Sequence, residues 1–118
     1  IASRKHKKSK IKSKFIRRKL GDIFRLILVI LFNIRISDTQ CGFKVYHKNY
    51  IKYIYKRMKI ARYAHDVEVI LILQSKGIKI KELPVKWKHQ SGSKINIITD
   101  SFKMLLDLFI LRLRLSLK

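Results

Sequence analysis

The apolar positions fall into separate runs divided by basic and polar stretches. Residues 3–19 are polar and strongly basic, which predicts a mobile loop leading into a helix. The first apolar run follows at 20–36, where Ile23 to Phe32 is interrupted only by Arg25. A bilayer span needs about 20 apolar residues, so this run predicts either a buried core helix or one lying in a membrane interface. Residues 37–46 break the pattern. Ser37, Asp38 and Gly42 favour a turn, and Phe43, Val45 and Tyr46 suit a short strand. Residues 47–60 predict a basic, tyrosine-rich helix with Ile51, Ile54 and Tyr55 inward.

At 66–76 an acidic start precedes an apolar run, and Gly77 follows as a stop. This predicts a helix capped by Asp66, with Glu68 in its first turn. Its β-branched content leaves a strand as the alternative. Residues 78–88 alternate: Ile78 and Ile80 share one phase, and Leu83, Val85 and Trp87 the other. The slip near Glu82 and Pro84 predicts a bulge or an edge strand. A Gly/Ser loop spans 89–94. The last segment, 100–117, carries Phe102, Leu105, Leu106, Phe109, Ile110 and Leu113 and predicts an apolar helix. Arg112, Arg114 and Lys118 at its end suit the helix dipole or lipid headgroups.

Charge changes this picture more than length does. The chain has 118 residues, enough for one domain, and carries 29 Lys and Arg against 7 Asp and Glu, a net charge of +22. Such an excess predicts a polyanionic neighbour: nucleic acid, an anionic membrane face or a phosphorylated ligand. One cysteine, Cys41, excludes an internal disulfide framework. The four histidines are scattered and there is no Cys-x-x-Cys pair, P-loop or Gly-x-Gly-x-x-Gly, which argues against a zinc site or a nucleotide cradle within these residues. The first residue is Ile, which suggests a fragment or a processed chain.

The seven acids carry more information because they are so few. Asp38 lies in DTQCGFK, and Asp66 and Glu68 lie in HDVEV. A carboxylate among many cations stays ionised and can serve as a general base or hold a metal-bound substrate. Ordinary turn and helix capping by Asp38 and Asp66 is the alternative. The Ser91–Lys94 loop offers backbone N–H groups, hydroxyls and an ammonium to a phosphate.

With DTQCGFK at 38–44, the chain resembles the C-terminal part of the dolichyl-phosphate β-glucosyltransferases. The supporting pieces are Ser3-Arg4, Arg17-Arg18, DVEV at 66–69, LPVKWKHQSGSK at 83–94 and DSFKMLLDLFILRLR at 100–114. Related mannosyltransferases and bacterial polyprenyl-phosphate glycosyltransferases share much of this pattern. The resemblance implies an α/β fold, the acceptor-side portion of a GT-A glycosyltransferase of family 2, with residues 1–118 lacking the nucleotide-binding half. It implies glucose transfer from UDP-glucose to dolichyl phosphate, with Mg²⁺ or Mn²⁺ held mainly by the missing half. It places the enzyme on the cytosolic face of the endoplasmic reticulum membrane, against anionic lipids, with no nucleic-acid partner. Carried onto these residues, it assigns Asp38, Asp66 and Glu68 to the reaction centre. Arg4, Arg17 or Arg18, Gln40, Ser93 and Lys94 fall to phosphate and substrate binding. Ala2 stands where the family has Gly, and His65 where an aromatic is usual. The acceptor is itself an anionic nucleophile, so catalysis becomes positioning and charge neutralisation. A basic nucleic-acid-binding module is the rival from another class, and the greasy 23–34 run and leucine-rich terminus argue against it.

Overall fold

The computed structural model describes residues 1–12, 15–61, 64–88 and 97–116, the side chains at 12, 17, 97, 98 and 116 excepted. Helices dominate, joined by short parallel strands, an α/β content. The chain forms two compact units: Ile1–Val45 with Lys79–Ser91, and Tyr46–Ile78 with Gly92–Lys118.

In the first unit, β1 (Ala2–Ser3) pairs in parallel with β3 (Leu83–Pro84), and β2 (Lys10–Lys12) with β4 (Lys86–Lys88). The same two segments thus run side by side twice. Between the pairs, residues 4–9 leave the ladder opposite the single residue Val85. The Ser9 hydroxyl closes this excursion by donating to the Ser3 carbonyl (2.6 Å) and accepting from Val85 N–H (3.0 Å). Residues 3–12 of the basic segment are therefore built into strands and a closed turn rather than a simple loop, and 15–19 begin the expected helix. The irregularity expected near Glu82 and Pro84 is real, but the extra residues lie on the partner segment. Residues 78–82, expected to extend the strand, form none, and 43–46 is also without a strand. Phe43 and Val45 are exposed, and Phe43 offers only its carbonyl, to Ala2 N–H (3.0 Å).

The helix α1 (Phe15–Phe32) begins well before the apolar run. It buries a narrow stripe, Phe24 and Leu28, four residues apart as one helix face requires. Phe15, Ile16, Ile23, Leu26 and Ile30 stay exposed. Asn33 ends it with a left-handed φ of 54° while its N–H donates to Val29 C=O (2.9 Å), a stop that Asn tolerates better than most side chains. Ile34 and Ile36, just beyond, are buried.

The second unit holds α2 (Lys48–Arg57), α3 (His65–Ser75) and α4 (Ile97–Ser116). In α2 only Ile54 of the expected inward set is buried; Ile51 and Tyr55 are exposed. The helix is rotated so that Tyr53 lies beneath two cations, Arg57 at 3.8 Å and Lys76 at 4.5 Å from the ring centre. Helix α3 buries Val67, Glu68, Val69, Ile70 and Leu73 around most of its circumference, which explains its lack of amphipathic period. Asp66 does not cap it. Ala64 holds that position without a side-chain bond, and Asp66 lies in the first turn. Gly77 does end it, at φ 71°, with its N–H bonded to Gln74 C=O and Ile78 N–H to Leu73 C=O, the paired bonds of a Schellman motif. In α4 the buried residues are Leu108 and Leu111, whereas Phe102, Leu106, Phe109, Ile110 and Leu113 are exposed. Among the described residues, no helix is long and apolar enough to cross a membrane.

Candidate functional site

Arg4 opens the excursion after β1, and Asp38 follows the chain out of the buried Ile34–Ile36 stretch. The two meet in a forked pair. Arg4 Nε donates to Asp38 Oδ2 (2.7 Å) and Nη2 to Oδ1 (2.8 Å), and the Arg4 backbone N–H adds a third bond to Oδ2 (2.9 Å). The Asp38 side chain is 6% exposed and that of Arg4 35%. A guanidinium has five N–H donors, and Asp38 uses two, so three remain for another oxygen-rich group. Trp87 lies 5.7 Å from the guanidinium and supports it from β4.

Burial pushes the Asp38 carboxyl up. The Arg4 bonds and charge, with the backbone N–H groups of Arg4 and Gln40, more than offset this and hold it below the usual carboxylate range. The Asp38 bond in turn raises Arg4 further above its ordinary value, against the opposing effect of burial. A carboxylate whose folded pKa is depressed contributes stability above its unfolded value, about 3.9, and loses it as pH falls through the folded one. The urea midpoint should therefore hold from neutral pH down to about 5 and drop below about 4. Asp38→Asn should remove part of that acid sensitivity, and an unchanged acid limb in the variant would count against the pair.

Arg4, Asp38, Gln40 and Arg18 all line one cavity of about 530 Å³. Lys5 and Asp22, which are ion-paired with each other, and Arg25 share its wall. Ile11, Phe24, Leu28 and Trp87 supply an apolar side. The structure thus gathers four residues singled out from sequence and adds Lys5, Arg25 and Trp87. The signal for Arg25 was visible as the lone cation inside an apolar run.

Asp66 and Glu68 belong to the other unit. Asp66 lies 3.1 Å from His65 Nε2. Glu68 is 6% exposed, and its Oε2 accepts the backbone N–H groups of Lys59 (2.9 Å) and Ile60 (2.8 Å). The side chain of Arg17, and Ser93 and Lys94 entirely, lie outside the described residues. Among the described residues, no three His, Cys, Asp or Glu side chains gather as a metal site, and both Asp38 oxygens face Arg4. A divalent cation does not fit the described residues by themselves.

A dolichyl-phosphate beta-glucosyltransferase of Saccharomyces cerevisiae is 40% identical over 87 residues, covering 73% of this chain and 26% of the relative. One of Dictyostelium discoideum is 34% identical over 103 residues, 87% of this chain and 32% of that protein. One of Homo sapiens is 37% identical over 79 residues, 67% of this chain and 24% of its own length. No family model matches the chain. No solved structure matches it either. By these similarities the chain is a homologue of glycosyltransferases. Its kin among them are the dolichyl-phosphate beta-glucosyltransferases, to which it is homologous over most of its own length while spanning about a quarter to a third of theirs.

Proposed function

We propose that these residues form the acceptor-side portion of a longer GT-A glycosyltransferase that moves glucose from UDP-glucose to dolichyl phosphate. The observation that carries this reading is the cavity itself. Its lining combines Arg4, Arg18 and Arg25 with Ile11, Phe24, Leu28 and Trp87. That combination suits a ligand with an anionic head and a greasy tail.

In this reading Arg4, aligned by Asp38, and Arg18 receive the acceptor phosphate, and Gln40 lines the same recess. Asp66 and Glu68 are assigned to the reaction centre on resemblance. Arg17, Ser93 and Lys94 are assigned to phosphate contact on resemblance. The phosphate oxygen attacks as an anion and needs no base, so the residues act by orientation and by neutralising charge as the nucleotide departs. Donor and divalent-metal binding fall to chain outside these residues, and the 118-residue chain alone is expected to be inactive. The exposed apolar faces of α1 and α4, flanked by arginines, would rest on the anionic cytosolic leaflet of the endoplasmic reticulum. No nucleic acid is expected as partner.

The test is transfer of labelled glucose from UDP-glucose to dolichyl phosphate by the full-length protein in membranes. Charge reversal, Arg18→Glu, should raise the KM for dolichyl phosphate about tenfold or more while leaving that for UDP-glucose nearly unchanged, since one lost contact of this kind is worth about 1.4 kcal/mol. Transfer only from GDP-mannose would move the protein to the mannosyl branch. Absence of any lipid-linked sugar, with salt-sensitive RNA retention, would overturn the reading.

A further inference from the structure

The geometry points to Glu82 as the positioning residue that sets the Arg4–Asp38 pair, holding both of its halves from behind the cavity. This assignment rests on the proposed function for what the pair receives, but not for how the pair is held.

Glu82 is not among the residues lining the cavity. Its carboxylate accepts the Ser37 N–H at both oxygens (3.1 Å and 3.2 Å) and the Ser37 hydroxyl. The Asp38 N–H and the Ser3 hydroxyl also help to hold it in its charged form. Ser3 and Ser37 further touch each other through their hydroxyls at 3.0 Å. Three distant segments therefore converge on one carboxylate: β1, the turn at 37–38 and the approach to β3.

The serines matter because of their neighbours in the chain. Ser3 precedes Arg4, and Ser37 precedes Asp38. Ser37 lines the cavity beside Asp38, and its bonds to Glu82 fix the backbone from which the Asp38 carboxylate reaches the guanidinium. Ser3, tied to Ser37, fixes the start of the Arg4 excursion in the same way. Ser3 is fully buried, so this rear contact is not exchanged for water. Burial raises the Glu82 carboxyl, and the hydroxyls of Ser37 and Ser3 with the backbone donors outweigh that, so the acceptor form persists at neutral pH. Carboxylates behind a working group commonly fix its orientation in this way.

The experiment uses the full-length protein with Glu82→Gln, and with Ser37→Ala as a milder second variant. Glutamine retains one acceptor oxygen but turns an NH₂ toward donors. Hydrogen exchange read by mass spectrometry should quicken in peptides covering 2–5 and 36–40 and stay unchanged in α3. Turnover with dolichyl phosphate should fall about a hundredfold for Glu82→Gln, the size expected of misplacing a working group by about 1 Å, with the UDP-glucose KM unmoved. Ser37→Ala should show the same pattern, smaller. Unchanged exchange at both peptides in both variants overturns the assignment. Exchange that quickens throughout, with turnover lowered and both KM values raised together, shows a merely structural residue and also overturns it. Quickened exchange confined to the two peptides, in a wild-type protein that transfers no glucose, sinks the proposed function and leaves the positioning role standing.

Discussion

Asp38→Asn in the full-length protein is expected to lower turnover with dolichyl phosphate about a hundredfold or more, the range seen when one preorganised charge-stabilising group is lost. The reason is geometric. Asp38 takes Arg4 Nε–H and Nη2–H on separate oxygens, and an amide can accept at only one of them. Its NH₂ would face a guanidinium N–H, and the fork would swing away from the cavity. Asn nearly matches Asp in volume, so the fold should survive. Melting temperature and circular dichroism, measured beside kcat and KM, separate the cases. Full activity with a lowered melting temperature would make Asp38 a turn residue. Arg4→Lys tests the same pair from the other side, because an ammonium cannot form the fork.

The second large effect falls on stability. Glu68→Ala should destabilise the fold by about 1–3 kcal/mol, because it leaves the buried Ile60 N–H and the part-buried Lys59 N–H without their acceptor. Glu68→Gln should lose much less, since both bonds go to a single oxygen that an amide retains. Urea unfolding of the three proteins checks the order. Equal stability of Ala and Gln variants would show that water reaches those donors.

The contrast between Asp38 and Glu68 shows what was legible in the chain and what was not. Both stood out as rare acids in a basic sequence. DTQCGFK and HDVEV also carried the resemblance, which the homologues bear out. Yet the partner of each lies elsewhere in sequence. Arg4 is 34 residues from Asp38, and the 59–60 backbone is reached only after the turn before α3. Glu82 was visible only as a slip in an alternating pattern, because its serine partner lies 45 residues away. Helices α1, α3 and α4 could be read because long apolar runs, and at α3 the stop at Gly77, act within a few residues, whereas the end of α1 at Asn33 was not read. Strands β3 and β4 fall within the alternating 78–88 run, but β1 and β2 could not be read. They are two or three residues long, and parallel pairing depends on contacts far apart in the chain. The phase of α2 was missed because tyrosine and isoleucine compete for the same face, and the cations over Tyr53 decide between them.

The salt link at the heart of the cavity has no net charge to offer. Asp38 cancels Arg4, and Asp22 cancels Lys5. Among the described residues lining the cavity, the net pull on an anion a Debye length away, about 8 Å in physiological salt, then comes from Arg18 and Arg25 on the helix. Capture and final alignment are thereby divided between two parts of the wall: one governs arrival, and the other acts only on touch.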